Sequence, residues 1–293
     1  MKNFLLLILG AFVIAMLLSA TFKKNTSDPP MPEVYAQCHP ADIRGLSKQE
    51  AATNAFAMLH EEPLPFTYED KKGKMVSFKT PDGQKGTGYE IRNKKKTNNY
   101  IFVIQEWWGL NDYIKQESDN LSTELDNINV IALDLYDGKV ADNRDSAMKY
   151  MSGVNNQRLE SIIKGAITYA GKDAKIYTIG WCFGGMWSLQ ASILAGKQGA
   201  GCVMYYGRPE TNIEKLKQLN ADVIGFFGNQ DRSPSPEMVN QFEKDMKAAG
   251  KNLVTYRYEA NHGFGNPSNP SFNKEATEDA NKKTIAFFKQ RIR

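Results

Sequence analysis

One cysteine in this chain stands where a thiol can act as a nucleophile. Cys182 lies in Gly180-Trp181-Cys182-Phe183-Gly184-Gly185, between the β-branched and aromatic run Tyr177-Thr178-Ile179 and a helix-compatible stretch. Gly-x-Cys-x-Gly has the form of a nucleophile elbow with cysteine in place of serine. On such a sharp strand-to-helix turn, side chains two residues either way collide with the neighbouring strand and helix, so glycine is required there. The next amide, that of Phe183, is expected to point at an oxyanion. The N-terminus of the following helix favours a thiolate. Taken alone, the motif fits a buried structural cysteine equally well.

A cysteine nucleophile is activated by a base, and the chain has three histidines, His39, His60 and His262. His39 sits in a Pro-rich polar stretch, and His60 ends a short N-terminal helical pattern. His262 follows the last apolar strand pattern, in Glu259-Ala260-Asn261-His262-Gly263-Phe264. Asp231 stands in the loop after the preceding strand pattern, in Gly228-Asn229-Gln230-Asp231, at the matching end. Asp222 precedes that strand, and Asp245 lies in the middle of a helical pattern. The chain order nucleophile, acid, base is that of the α/β-hydrolases.

The elements that must position these residues alternate along the chain. Apolar strand patterns cover Tyr100–Gln105, Val130–Leu135, Lys175–Gly180, Cys202–Tyr206, Val223–Gly228 and Leu253–Tyr258. Helical spacing appears between most of them, as in Leu159, Ile162, Ile163, Ala166 and Ile167. Ser235 and Pro236 open another helix carrying Val239, Phe242 and Met246, and a last helix starts near Asn273. A hairpin precedes this series, Met75–Phe78 with Tyr89–Ile91, turned at Pro81-Asp82-Gly83. Apolar strands alternating with helices predict an α/β protein with a mostly parallel central sheet and helices on both faces. In such a sheet, chemistry gathers beyond the carboxyl ends of the strands, where Cys182, Asp231 and His262 all fall.

With these motifs in place, the sequence resembles the dienelactone hydrolases over roughly residues 75–290. The resemblance rests on Gln105-Glu106-Trp107-Trp108-Gly109, Asp134-Leu135-Tyr136, the Cys182 elbow, Gly228-Asn229-Gln230-Asp231 and His262-Gly263-Phe264. It implies an α/β-hydrolase fold and a Cys182–Asp231–His262 triad that cleaves small carboxylic esters or lactones through a thiol-acyl enzyme, without metal or organic cofactor. It also implies that Glu106, beside the thiol, controls when Cys182 ionises. The amides of Trp107 and Phe183 would form the oxyanion hole, and Trp108 would wall the pocket. The family archetype clamps a substrate carboxylate with two arginines. Arg144 matches the first; Asn266 stands where the second belongs, and Arg208 is a candidate replacement. A dienelactone hydrolase proper and a broader carboxylic ester hydrolase both stay open.

Composition narrows the remaining classes. The chain has 293 residues, 41% hydrophobic and 24% charged, with a net charge of +4. It carries no basic stripe beyond Lys94-Lys95-Lys96, so nucleic acid is not an expected partner. A small-molecule substrate and a monomer are expected. Met1-Lys2-Asn3 precedes an apolar run from Phe4 to Ala20, followed by Lys23 and Lys24. This reads as an export segment within residues 1–22, either a cleaved signal or a membrane anchor, that directs the body to the periplasm or beyond. Residues 23–70 read as a Pro-rich linker and a short helix with a Ser47–Glu50 capping box, and residues 71–293 as the hydrolase-like domain. Three cysteines, Cys38, Cys182 and Cys202, allow no disulfide framework. Two rivals remain: an exported binding protein that kept the fold, and a thiol redox protein in which Cys38 or Cys202 pairs with Cys182.

Overall fold

In the computed structural model, which describes residues 62–292, eight strands form one sheet in the order β1-β2-β4-β3-β5-β6-β7-β8. The strands are β1 (Lys74–Lys79), β2 (Lys85–Ile91), β3 (Asn99–Ile104), β4 (Asn129–Leu133), β5 (Lys175–Trp181), β6 (Gly199–Tyr205), β7 (Val223–Gly228) and β8 (Leu253–Tyr258). The first two run antiparallel to each other, and β2 runs antiparallel to β4; every later pairing is parallel. The α-helices between them are α1 (Asp112–Glu124), α2 (Arg144–Ser152), α3 (Asn156–Ala170), α4 (Phe183–Leu194), α5 (Ile213–Leu216) and α6 (Pro236–Ala248), and α7 (Lys274–Arg291) follows β8.

The expected central sheet is present, and its burial explains the unbroken apolar runs. Every residue of β3, β4 and β7 is buried. Alternate residues of one strand feed opposite layers. Cys202 and Met204 of β6 pack with Val239, Phe242 and Met246 of α6, whereas Val203 and Tyr205 join the layer that holds Phe287 and Phe288 of α7. A strand buried on both faces has no polar alternation to show, which is the signature of a covered parallel sheet.

Helix starts follow from caps. The Ser235 side chain accepts from the Met238 N–H with Pro236 at the first helical position, and Asn273 caps α7 by accepting from the Ala276 N–H. One hairpin strand is longer than its pattern: β2 begins at Lys85 and contains Gly86 and Gly88. A side chain on Gly86 would strike the Phe78 ring at 2.4 Å, so glycine there admits the ring instead of breaking the strand. The segment before β1 lies on α1. Phe66 stacks on Tyr113 at 4.6 Å, and the buried Asp119 carboxylate accepts from the Tyr68 and Tyr89 hydroxyls and the Lys72 N–H. The expectations for the 4–20 apolar run, Cys38, His39, the Ser47–Glu50 box and His60 lie outside the described residues.

Candidate active site

Steric exclusion holds the elbow in place. Cys182 adopts φ 54° and ψ −118° between β5 and α4, a conformation that costs an L-residue of the order of 1–3 kcal/mol. The surrounding glycines make the turn possible. A Cβ on Gly180 would lie 2.1 Å from the Gly184 carbonyl oxygen. On Gly184 it would lie 2.3 Å from the Ile104 oxygen, and on Gly185 2.6 Å from the Tyr205 oxygen. The first turn of α4 is thereby pressed against the ends of β3 and β6, and the thiol is held at the carboxyl edge of the sheet. Phe183 is the first residue of α4, so its N–H has no acceptor within the helix.

Two further strand ends bring in the acid and the base. The loops after β7 and β8 are stitched together: the Asn229 N–H donates to the Tyr258 oxygen at 2.7 Å, and the Gln230 N–H to the Ala260 oxygen at 3.0 Å. Gly228 permits this contact, because a Cβ there would lie 2.2 Å from the Ala260 oxygen. The stitching sets Asp231 Oδ2 2.8 Å from His262 Nδ1, while the Ser233 N–H donates to the other carboxylate oxygen at 2.8 Å. Both side chains are buried. On its other side His262 meets Cys182. Burial alone would lower the imidazolium pKa, but the Asp231 charge, joined by the Cys182 charge and hydrogen bonds to both side chains, carries it well above the ordinary value.

Glu106, in the turn after β3, faces the same histidine. Its Oε2 accepts from Asn266 Nδ2 at 2.7 Å and its Oε1 from the Tyr206 hydroxyl at 3.5 Å. Burial pushes this carboxyl up to about 7, against the lowering pull of His262, Asn266 and Tyr206. Gln105 fixes the turn from behind, its Oε1 accepting from the Leu135 N–H at 3.3 Å. Trp107 and Trp108, with ring centroids 4.7 Å apart, complete it, and both are buried. The Asp134 motif does different work. Its carboxylate accepts from the Thr87 hydroxyl and from the N–H groups of Tyr136 and Gly138, which folds the loop after β4.

Tyr206 belongs to the site although its own residue type carried no signal in the sequence. It follows β6 with φ 36°, is buried, and packs its ring edge-on to His262 at 5.1 Å. The position was readable only as a strand end beside the elbow: a Cβ on the next residue, Gly207, would meet Gly185 and Met186 at 2.4 Å.

A cavity of about 120 Å³ opens beside this cluster, walled in part by Glu106, Trp108, Trp181, Tyr206, Glu117 and Asn266. Neither Arg144 nor Arg208 lines it. Arg144 opens α2, where its main-chain N–H donates to Glu62 Oε1 at 3.4 Å. Of the sequence-derived residues, Cys182, Asp231, His262, Glu106, Trp107, Trp108 and Phe183 thus come to one end of the sheet.

The model of the dienelactone hydrolase family matches residues 87–292. The chain belongs to the dienelactone hydrolase family. It is 27% identical over 234 residues to the protein usf of Aquifex pyrophilus, covering 74% of this chain and 98% of that one. It is 28% identical over 137 residues to a carboxymethylenebutenolidase from Pseudomonas sp. strain P51, covering 44% and 55%. Among solved structures, a dienelactone hydrolase-like promiscuous phosphotriesterase from metagenomic libraries superposes with a TM-score of 0.63 at 18% identity, covering 75% and 99%. That likeness bears on the fold. As a dienelactone hydrolase family member, the chain is a hydrolase of ester or lactone type.

Proposed function

We propose that this protein hydrolyses small carboxylic esters or lactones by way of a Cys182 thiol-acyl enzyme. One observation carries the reading above all. His262 is held between the Asp231 carboxylate at 2.8 Å and Cys182, and Cys182 sits on a strained elbow that only the surrounding glycines permit. Asp231 orients the ring and favours its charged form. His262 takes the thiol proton as sulfur attacks the carbonyl carbon, and returns it to the leaving alkoxide oxygen as the C–O bond breaks. For a lactone the alcohol stays tethered to the acyl group. Water then attacks the thioester, giving its proton to His262. Collapse expels the thiolate, which recovers the proton, and releases the carboxylic acid. The N–H groups of Phe183 and Trp107 supply the oxyanion hole in this reading.

Glu106 is the regulator. A carboxylate close to His262 and the thiol opposes a free thiolate until substrate changes its partners. The substrate is a small molecule, and residues 4–20 carry the protein out of the cytoplasm. Fractionation of cells expressing the full chain, with intact mass of the product, tests that location and tells cleavage from anchoring. For the chemistry, Cys182→Ala is expected to lower kcat on an activated phenyl ester by at least about a thousandfold, and wild-type enzyme to form a mass-detectable acyl adduct on Cys182. Turnover unchanged in the variant would overturn the mechanism.

A further inference from the structure

The cavity beside the elbow has a charge character of its own. Two of its walls are carboxyls, Glu106 after β3 and Glu117 from α1. The polar groups between them are uncharged amides and hydroxyls, including Asn266, Asn281 and Ser268. Among the described residues, no lysine or arginine lines it. The apolar part of the wall is largely aromatic, with Trp108, Trp181 and Tyr206.

Asn266 carries no charge with which to replace a cation. One of its two Nδ2 N–H groups donates to Glu106 Oε2 at 2.7 Å, and its Oδ1 accepts from the Ser268 N–H and hydroxyl at 2.9 and 2.8 Å. Its hydrogen bonds therefore tie the loop after β8 to Glu106. A substrate carboxylate entering here would lose water and gain two acidic neighbours with no lysine or arginine in the wall to pair with it, and each of these opposes binding. Glu117 is half-buried, and burial raises its pKa, with the Asn120 hydrogen bond pulling it down.

We infer that this enzyme selects esters and lactones without a free carboxylate, and that Glu106, Glu117 and Asn266 are the residues that reject an anionic acyl group. The inference rests on the hydrolase reading above. An uncharged chain fills the aromatic wall, and a cationic one gains from the two carboxyls.

Three matched substrates separate the two claims: phenyl hexanoate, monophenyl adipate and phenyl 6-(trimethylammonio)hexanoate, each with its spontaneous hydrolysis subtracted. The expected kcat/KM for the adipate is at least about tenfold below the hexanoate, with the cationic ester not below it. Adipate turned over as well as hexanoate, or better, overturns the selection and leaves the hydrolase reading standing. No turnover of any of the three overturns the hydrolase reading and the selection with it. In Glu117→Gln the adipate-to-hexanoate ratio is expected to rise about threefold, the size of one screened charge. This ratio, taken on one preparation, does not depend on how much of the variant folds. A ratio that stays put removes Glu117 from the selection.

Discussion

Cys182, at the end of β5, and Cys202, within the neighbouring strand β6, are both buried, 5% and 0% exposed. Burial therefore does not distinguish them; position along the strand does. Cys202 lies inside β6 with ordinary strand geometry, its sulfur 3.5 Å from the Ser188 hydroxyl. Burial pushes its thiol up to about 11, with Thr178 and Ser188 pulling slightly down. Cys182 lies just past the end of β5, on a strained turn, against a histidine whose pKa stands well above the ordinary value. The same residue type is a core filler in one place and a candidate nucleophile a few ladder steps away. What differs is whether loops from other strands can reach it.

The largest expected difference is chemical. With a pKa of about 11, Cys202 is thiolate at pH 8 to only about one part in a thousand. Iodoacetamide at pH 8, followed by peptide mapping, is expected to label Cys182 at least about a hundredfold faster than Cys202. On the role proposed for Glu106, Glu106→Gln is expected to speed labelling of Cys182 alone, by up to about tenfold. Equal labelling of the two cysteines in the native protein would collapse the contrast.

The next difference is a pH dependence confined to the elbow. The folded Glu106 carboxyl titrates near 7 instead of 4.5. Between those values the folded state holds a proton that the unfolded chain has lost, so this group's contribution to stability falls as pH rises from about 4.5 through about 7. His262 acts in the same direction: its raised pKa adds stability below the unfolded value, which is lost as pH climbs through the folded one. Chemical denaturation of Glu106→Gln against wild type at pH 5 and pH 8 is expected to show the variant gaining about 2 kcal/mol relative to wild type at the higher pH. That is less than the full shift, because the carboxylate is partly exposed. A Cys202→Ala variant should follow the wild-type pH curve. A parallel curve for Glu106→Gln would show that the elbow's surroundings do not titrate as described.

The smallest difference reads backbone strain. At position 182, Gly is expected to be more stable than Ala by about 1 kcal/mol, because glycine tolerates φ 54°. At position 202 the order reverses, with Ala above Gly by about 1 kcal/mol, since glycine inside a strand costs entropy and leaves a gap. Urea midpoints of the four variants check both orders. The same order at both positions would mean that the elbow carries no strain.

Much of the site was legible because it depends on rare residue types at strand ends. Three histidines and one glycine-framed cysteine leave few combinations, and each apolar run ends where its chemistry begins. Glu117 and Tyr206 were not legible in the same way. Glu117 sits within the amphipathic helix α1, whose pattern marks a surface, and only the packing of α1 beside the turn after β3 turns that carboxyl toward the cavity. Tyr206 sits in an aromatic pair that reads as core, as its partner Tyr205 in fact is, bonded to Asn281 and Thr284.

The sequence by itself determined the α/β class, the membership in the dienelactone hydrolase family and the short set of groups able to do acyl chemistry. Apolar periodicity and glycine placement are local properties, and they survive without knowledge of what lies across the sheet. Only the tertiary structure decided how those groups meet. It set Asp231 2.8 Å from His262, joined Asn266 to Glu106, kept Arg144 out of the cavity wall, and brought Glu117 into it. The physical reason is that charge, desolvation and hydrogen bonding act across a few ångströms of space, between residues separated by as many as 160 positions in the chain.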